Sequence, residues 1–479
     1  MQISGRGFVV AFSLSLALVP ARAQAQMGSS PGTSEATSGT DDTPTDAPQR
    51  PRFNGLFRGA STANDDEQSL VFSASAYASY IQGLQNETDA ATAASDKWVR
   101  LLGGGASLRY SRSWDDAFIG LNAAGSLAKR RVDVDNSDWI DRWNLDAHGG
   151  FSHDVGRRTR LEMTGSSFYS PYRQFGLLEA GGATIAPIAT PQPGLDFVVG
   201  RNPVVHSAAE VGLRRELTTR SSLTGYYRFN QTNFLENDTM NGDRQEHGVG
   251  VRYGWRMTRY AGLRAGYTYV LSDYGGGATE TGWSTRHEFD VGLDGSYGLG
   301  HSYALTSSTT VAFNVRPSLF VGERYRTTDI DGNVREVSDP RLRFFVGATA
   351  NLVQTLSRTW AAEARYSRTA GYEAGFDRPF QSDIVAGSIG GLITRRIDFE
   401  SSISYRVGQV GFSGNANDVH TSIARSTVRA AITELLAAYT QYFYYHYEFG
   451  QGVQLPSSFG HDFERQGATV GLTLSLPLF

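Results

Sequence analysis

From about Gln68 to Phe479, apolar or aromatic residues alternate with small or polar ones, segment after segment. Leu223, Gly225, Tyr227 and Phe229 alternate with Thr224, Tyr226, Arg228 and Asn230. Val249, Val251, Tyr253 and Trp255 alternate with Gly248, Gly250, Arg252 and Gly254. The same rhythm runs through Leu263–Tyr269, Glu288–Asp294 and Phe399–Arg406. Successive side chains of a strand point to opposite faces, so this pattern encodes strands with one apolar and one polar face. A helical repeat is excluded over most of the chain.

Two architectures use such strands. In a soluble sandwich the apolar face makes the core; in an outer-membrane barrel it meets lipid while the polar face lines a lumen. Three features select the barrel. The segments run to about ten residues or more, as a tilted membrane-crossing strand requires, rather than the usual five or six. Tyr and Trp recur near strand ends, where interface girdles lie. Short turns alternate with long connections. The short turns read 113–116, 155–158, 218–221, 257–260, 298–301, 356–359, 394–397 and 433–435. Longer connections fall near 82–97, 129–138, 168–203, 234–244, 273–283, 325–340, 372–381, 412–419 and 450–462. The expected fold is therefore all-β: a transmembrane antiparallel up-and-down barrel of about 18 strands (16–18), with short periplasmic turns, longer extracellular loops and both ends on the short-turn side.

Composition fits this reading. The 479 residues include 54 Gly, 26 Phe and 23 Tyr but no Cys, with 12% aromatics. Mean hydropathy is nevertheless negative. The absence of Cys excludes disulfide frameworks, thiolate metal sites and cysteine nucleophiles. A net charge of −4 gives no global case for nucleic acid. Residues 1–25 carry Arg6, an apolar run from Gly7 to Val19 and small-residue cleavage sites at Ala21-Arg22-Ala23 or Ala23-Gln24-Ala25, the pattern of a secretory signal peptide. Residues 26–67 are rich in Ser, Thr, Pro, Gly and Asp and read as a disordered tail. The barrel is expected over 68–479.

The last strand ends Thr469-Val470-Gly471-Leu472-Thr473-Leu474-Ser475-Leu476-Pro477-Leu478-Phe479. It resembles the terminal assembly signal of outer-membrane barrels, carried here by Thr469, Gly471, Leu474, Leu476 and Phe479. Phe479 is out of phase with the leucine face. Together with Leu217-Thr218-Thr219-Arg220-Ser221-Ser222-Leu223-Thr224-Gly225-Tyr226-Tyr227, its weaker echo Leu356-Ser357-Arg358-Thr359-Trp360, and the strand Gly266-Tyr267-Thr268-Tyr269, this ending resembles a bacterial outer-membrane β-barrel family, the β-barrel porin type 2-like group. Some members of that family are associated with exopolysaccharide systems. The resemblance implies a barrel in the outer membrane, after signal-peptide cleavage, that passes or anchors something there. It implies outer-membrane lipids and the barrel-assembly machinery as partners, and it supplies no catalytic residues.

No catalytic constellation, cofactor motif or metal site emerges from the sequence. The nine histidines are scattered singly, without HExxH or a Gly-x-Ser-x-Gly elbow. His287 and Glu288 are adjacent and so point to opposite faces of a strand. Asp329, Asp331 and Asn333 echo a calcium loop but lack its closing glutamate, and a plain turn is expected. The triple glycine 103–105 lacks the Lys-Ser/Thr of a phosphate loop; close packing in the wall is expected instead.

The polar phase carries the functional expectation. It would place Arg160, Glu162, Arg228, Arg252, Arg264, Glu288, Asp290, Glu363, Arg365, Glu400 and Arg406 in a lumen. Charges of both signs there either satisfy one another or set a field that selects polar solutes. In 437–449, Tyr442, Tyr444, His446 and Glu448 are expected on the inner phase, where Tyr442 and Tyr444 could stack on sugar rings. The same run also reads as part of a girdle, with Phe443, Tyr445 and Tyr447 facing lipid. The expected function is a porin-like channel for polar solutes, with saccharides or exopolysaccharide export as the candidate cargo. The alternative is a non-conducting anchor plugged by the 168–203 connection, the longest in the chain.

Overall fold

Alternation with β-branched and aromatic residues on one phase produces a single sheet of 18 strands. The computed structural model describes residues 68–82, 98–132, 140–170, 203–235, 243–258, 261–275, 280–295, 309–328, 334–357, 359–371, 380–410, 418–451 and 461–478. In chain order the strands are β1 (Gln68–Gln82), β2 (Trp98–Ser113), β3 (Ala117–Val132), β4 (Ile140–Gly156), β5 (Thr159–Ser170) and β6 (Val204–Thr218). They continue with β7 (Ser221–Phe234), β8 (Asp243–Arg256), β9 (Ala261–Gly275), β10 (Glu280–Gly295), β11 (Thr309–Thr328) and β12 (Val334–Thr355). The last six are β13 (Trp360–Gly371), β14 (Phe380–Thr394), β15 (Ile397–Val410), β16 (Asp418–Ala431), β17 (Leu436–Phe449) and β18 (Asp462–Pro477).

Each strand pairs antiparallel with the next, and β1 pairs with β18 from Val71↔Pro477 to Gln82↔Gln466. The ring is closed, so no edge is left unpaired. The Cα partners, traced once round the ring, return to β1 displaced by about 22 residues. With 18 strands this stagger corresponds to a tilt of about 40° and to a ring about 34 Å across between backbones. A 14-residue strand such as β7 then rises about 34 Å along the axis, enough to cross a hydrocarbon layer.

The short turns are built by hydroxyl side chains. Thr218 Oγ1 accepts from the Arg220 amide (3.1 Å), Thr394 Oγ1 from the Arg396 amide (3.2 Å), and Thr433 Oγ1 from the Leu435 and Leu436 amides (3.2 and 3.0 Å). Ser357 Oγ accepts from the Trp360 amide at 3.2 Å. Each is an ST-turn that satisfies amides the ladder has left free. The register slips by one beside the turns at 157–158, 219–220 and 395–396, as bulges beside tight hairpins do.

Strand pairing reaches further into several connections than composition suggested. β11 and β12 pair as far as Thr328↔Val334, inside the expected 325–340 loop, and β9 and β10 leave only 276–279 between them. Polar residues there satisfy their backbone in the ladder even where side-chain alternation fades. The expected leader (1–25), the tail (26–67), the turn 298–301, Asp329–Asn333 and most of the 168–203 connection lie outside the described residues, as does Phe479.

Candidate functional site: the charged inner face

The two faces of the ring are chemically distinct. One phase exposes large apolar side chains, among them Val249, Val251, Phe289, Val291, Ile403 and Val470. The other buries Ser, Thr, Arg, Asp and Glu. The polar phase is the concave one, because its side chains converge across intervening strands. Arg228 of β7 reaches Glu288 of β10 at 3.8 Å, and Arg286 of β10 reaches Glu246 of β8 at 3.5 Å. Such reach is available only where curvature brings side chains together.

On β7–β10 the inner charges form a network. Glu246 receives Arg244 (2.7 Å), Arg286 (3.5 Å) and Arg228 (3.8 Å), while Arg286 also holds Glu288 at 2.6 Å. Asp290 bridges Arg252 and Arg264, each at 3.3 Å. Gly248 and Gly250 make room for it. A Cβ on Gly250 would fall 2.5 Å from the Tyr226 ring, which lies flat over that glycine and under the Arg252 guanidinium (5.2 Å). The Tyr226 hydroxyl closes the panel on Thr268.

A second panel stands on β14–β18. β17 is nine strands from β8 in a ring of 18, so the panels face one another. Arg429 binds Asp398 at 2.9 Å and Glu400 at 3.6 Å. Arg406 stacks over Phe380 at 5.5 Å, and Arg425 and Arg465 share this inner phase. Between the panels, on the inner face of β5, Arg160 approaches Glu162 (3.5 Å) and Asp154 (3.9 Å) and donates to Ser152. Glu363 and Arg365 share the inner face of β13, opposite Ser388 and Ala386.

The eleven charged residues anticipated from the polar phase thus all lie on the inner face. Arg228, Arg252, Arg264, Glu288 and Asp290 come together, whereas Arg160 with Glu162, Glu363 with Arg365, and Glu400 with Arg406 sit elsewhere round the ring. Glu246, Arg286, Asp398 and Arg429 escaped the sequence reading. Arg286 and Asp398 each stand two residues before an inner position already identified, so extending the alternation by one step would have found them.

Tyr442 and Tyr444 are a correction. Tyr442 is 49% exposed, on the outer face with Val470 and Leu472, and its hydroxyl donates to Gln466 at 2.9 Å. Tyr444, His446 and Glu448 share that phase. The inner side chains are instead Tyr439, Gln441, Phe443, Tyr445, Tyr447 and Phe449, all at or below 4% exposure. β17 carries aromatics on both phases, and its orientation is set by glycines of β18: Phe443 and Tyr439 lie over Gly467 and Gly471. Tyr439 and Phe443 are buried because they lie over these glycines.

Of the terminal-strand residues, Thr469 is inward and hydrogen-bonded to Ser79 at 2.8 Å, and Gly471 lies beneath Tyr439. Leu474 and Leu476 are on the outer phase with Leu472. The glycines 103–105 are in close contact with the wall: Gly103 meets the Tyr77 ring, and Gly104 and Gly105 face backbone oxygens of Ser75 and Gly125. On the outer face Tyr227 with His247 (2.8 Å), Tyr267 with His287 (2.7 Å) and Tyr405 with His420 (3.2 Å) form polar pairs, the first two at mid-strand and the last toward the long-loop end of β15 and β16. Among the described residues no group of three or more His, Asp or Glu is placed to hold a metal ion.

No protein-family model matches the chain, and no curated protein matches it. Solved barrels do resemble it. OccAB4 of Acinetobacter baumannii aligns with 11% identity and a TM-score of 0.36, over 86% of this chain and 99% of that one. OpdO of Pseudomonas aeruginosa gives 14% identity and 0.38, over 86% and 98%. The ferric citrate transporter FecA gives 10% identity and 0.41, over 85% and 78%.

Proposed function

We propose that this protein is a porin-like channel of the bacterial outer membrane that passes polar solutes. The observation carrying the reading is the inversion of faces: a closed ring with apolar side chains outside and an arginine–carboxylate lining inside. A soluble protein gains nothing from exposing Val249, Ile403 and Val470, whereas in lipid that face is the solvated one. The strand rise of about 34 Å agrees with a membrane thickness.

Within this reading the cargo class is saccharide, linked to exopolysaccharide export through the resemblance carried by the Arg220-Ser221-Ser222-Leu223 unit and the Leu-Pro-Leu-Phe ending. Thr469, Gly471, Leu474, Leu476 and Phe479 would be read by the barrel-assembly machinery, and residues 1–25 would direct export. No catalytic step forms part of the proposal. Purified full-length protein in planar bilayers should give single-channel conductance that vanishes when the sample is boiled first. A folded barrel that stays silent and conducts only after deletion of 171–202 would instead select the plugged-anchor reading. Silence in both forms would reject the channel.

A further inference from the structure

Resting on the channel reading, we infer that the interior selects anions, and that its solutes are carboxylate-bearing saccharides rather than neutral ones. Three observations carry this. The first is the charge balance of the two facing panels: among the described side chains ten arginines (228, 244, 252, 256, 264, 286, 406, 425, 429 and 465) stand against five carboxylates (246, 288, 290, 398 and 400), in a chain whose formal net charge is −4. The excess positive charge is therefore concentrated on the inner face, where low-dielectric walls focus its field into the lumen.

The second is a set of inner arginines with no carboxylate in direct contact. Arg109, Arg214, Arg365 and Arg425 are on the inner phase of β2, β6, β13 and β16, and none is more than partly covered. Among the described residues none of the four has a carboxylate within 4.0 Å; Arg365 and Arg425 feel Glu363 and Glu400 only at longer range, and Arg109 and Arg214 have no such neighbour. Arg214 is moreover the direct cross-strand partner of Arg160. Arg160 is already offset by Glu162 (3.5 Å) and Asp154 (3.9 Å), so Arg214 is the cation of this pair that faces the lumen without a close carboxylate.

The third is the type of cation. Only Lys97 and Lys129 are lysines among 44 basic residues, and Lys129 pairs with Leu102 on the outer phase. A pore that merely needed positive charge could use either residue. Guanidinium offers a planar fork matched to carboxylate and is more weakly hydrated than ammonium, so an ion can bind and leave.

The test is ion selectivity. Across a tenfold KCl gradient the full chain should show a reversal potential favouring chloride. The double variant Arg214→Gln/Arg365→Gln should lower the chloride-to-potassium permeability ratio severalfold, while Arg214→Lys/Arg365→Lys should keep it. Heat-modifiable mobility on gels verifies that each variant is folded. Oligogalacturonate should block the current at concentrations at which neutral malto-oligosaccharide of equal length does not. Inorganic phosphate blocking as well as the oligogalacturonate would leave anion selection standing and overturn the saccharide assignment. A conducting barrel that prefers potassium, or a double variant with unchanged selectivity, overturns the inference while leaving the channel. Absence of conductance with and without 171–202 removes both.

Discussion

Tyr439 lies flat across Gly471, its cross-strand partner, so closely that a Cβ on that glycine would fall 2.6 Å from the ring and 2.7 Å from the carbonyl oxygen of Ala76 on the other side. The same arrangement joins Tyr77 to Gly103, Tyr226 to Gly250 and Phe443 to Gly467. Glycine abundance and aromatic abundance are thus one feature. Each of these four aromatics covers the backbone of a neighbouring strand, which buries its ring without filling the lumen and clamps the register of the pair.

Gly471→Ala should therefore destabilise the barrel by about 1–3 kcal/mol, because the ring can tilt but the Ala76 carbonyl belongs to the ladder. Gly225→Ala is the control: nothing lies within 4 Å of its added Cβ, and the change should be neutral or slightly stabilising. Urea unfolding in detergent micelles, followed by the loss of heat-modifiable mobility, measures both. Equal midpoints for the two variants would contradict the clamp.

The absence of cysteine allows a clean reading of the β17 phase. Thr440→Cys and Tyr442→Cys should react with a membrane-soluble maleimide and resist a charged aqueous one. Gln441→Cys should resist the membrane-soluble reagent, since Gln441 is 1% exposed and donates inward to Thr427 at 3.1 Å. Labelling of Gln441→Cys from the lipid side would restore the orientation expected from sequence.

That strand marks the limit of what the sequence discloses. Where one phase is apolar and the other small or charged, as at Val249–Trp255, the face is legible from alternation alone. β17 places Tyr or Phe on both phases, and the choice is made by Gly467 and Gly471 across the β17–β18 ladder, which requires the register. The strand count was likewise legible, because hydroxyl-built turns such as Thr218-Thr219-Arg220 punctuate the chain. The charge network was legible only as a phase: Arg228 and Glu288 are far apart in the chain, and only closure of the ring with its stagger brings them within 3.8 Å.

Asp398 and Arg429 are each at most 3% exposed and 2.9 Å apart. Removing the carboxylate in Asp398→Ala leaves the guanidinium with Glu400 at 3.6 Å as its remaining acidic partner. A loss of about 3 kcal/mol is expected, with part of it regained in Asp398→Ala/Arg429→Met, where the buried pair is gone and Glu400 keeps only Arg425 nearby. Additive losses in the double variant, measured by the same urea titration, would show that the pair is solvated by the lumen instead.

Ile403 is 64% exposed at the middle of β15 and decides what the outer face meets. In water Ile403→Arg would be nearly free, within about 0.5 kcal/mol as for other surface changes. Against lipid, a charge near mid-depth costs about 2–4 kcal/mol. The neighbouring Ser404 is buried on the inner phase and supplies the contrast, since Thr there adds one methyl to the polar wall and no charge. Refolding Ile403→Arg and Ser404→Thr into phospholipid vesicles should therefore lower the urea midpoint for the first by several times more than for the second. If Ile403→Arg refolds as the parent does, the exposed face of β15 is not in contact with lipid, and the membrane orientation of the ring fails with it.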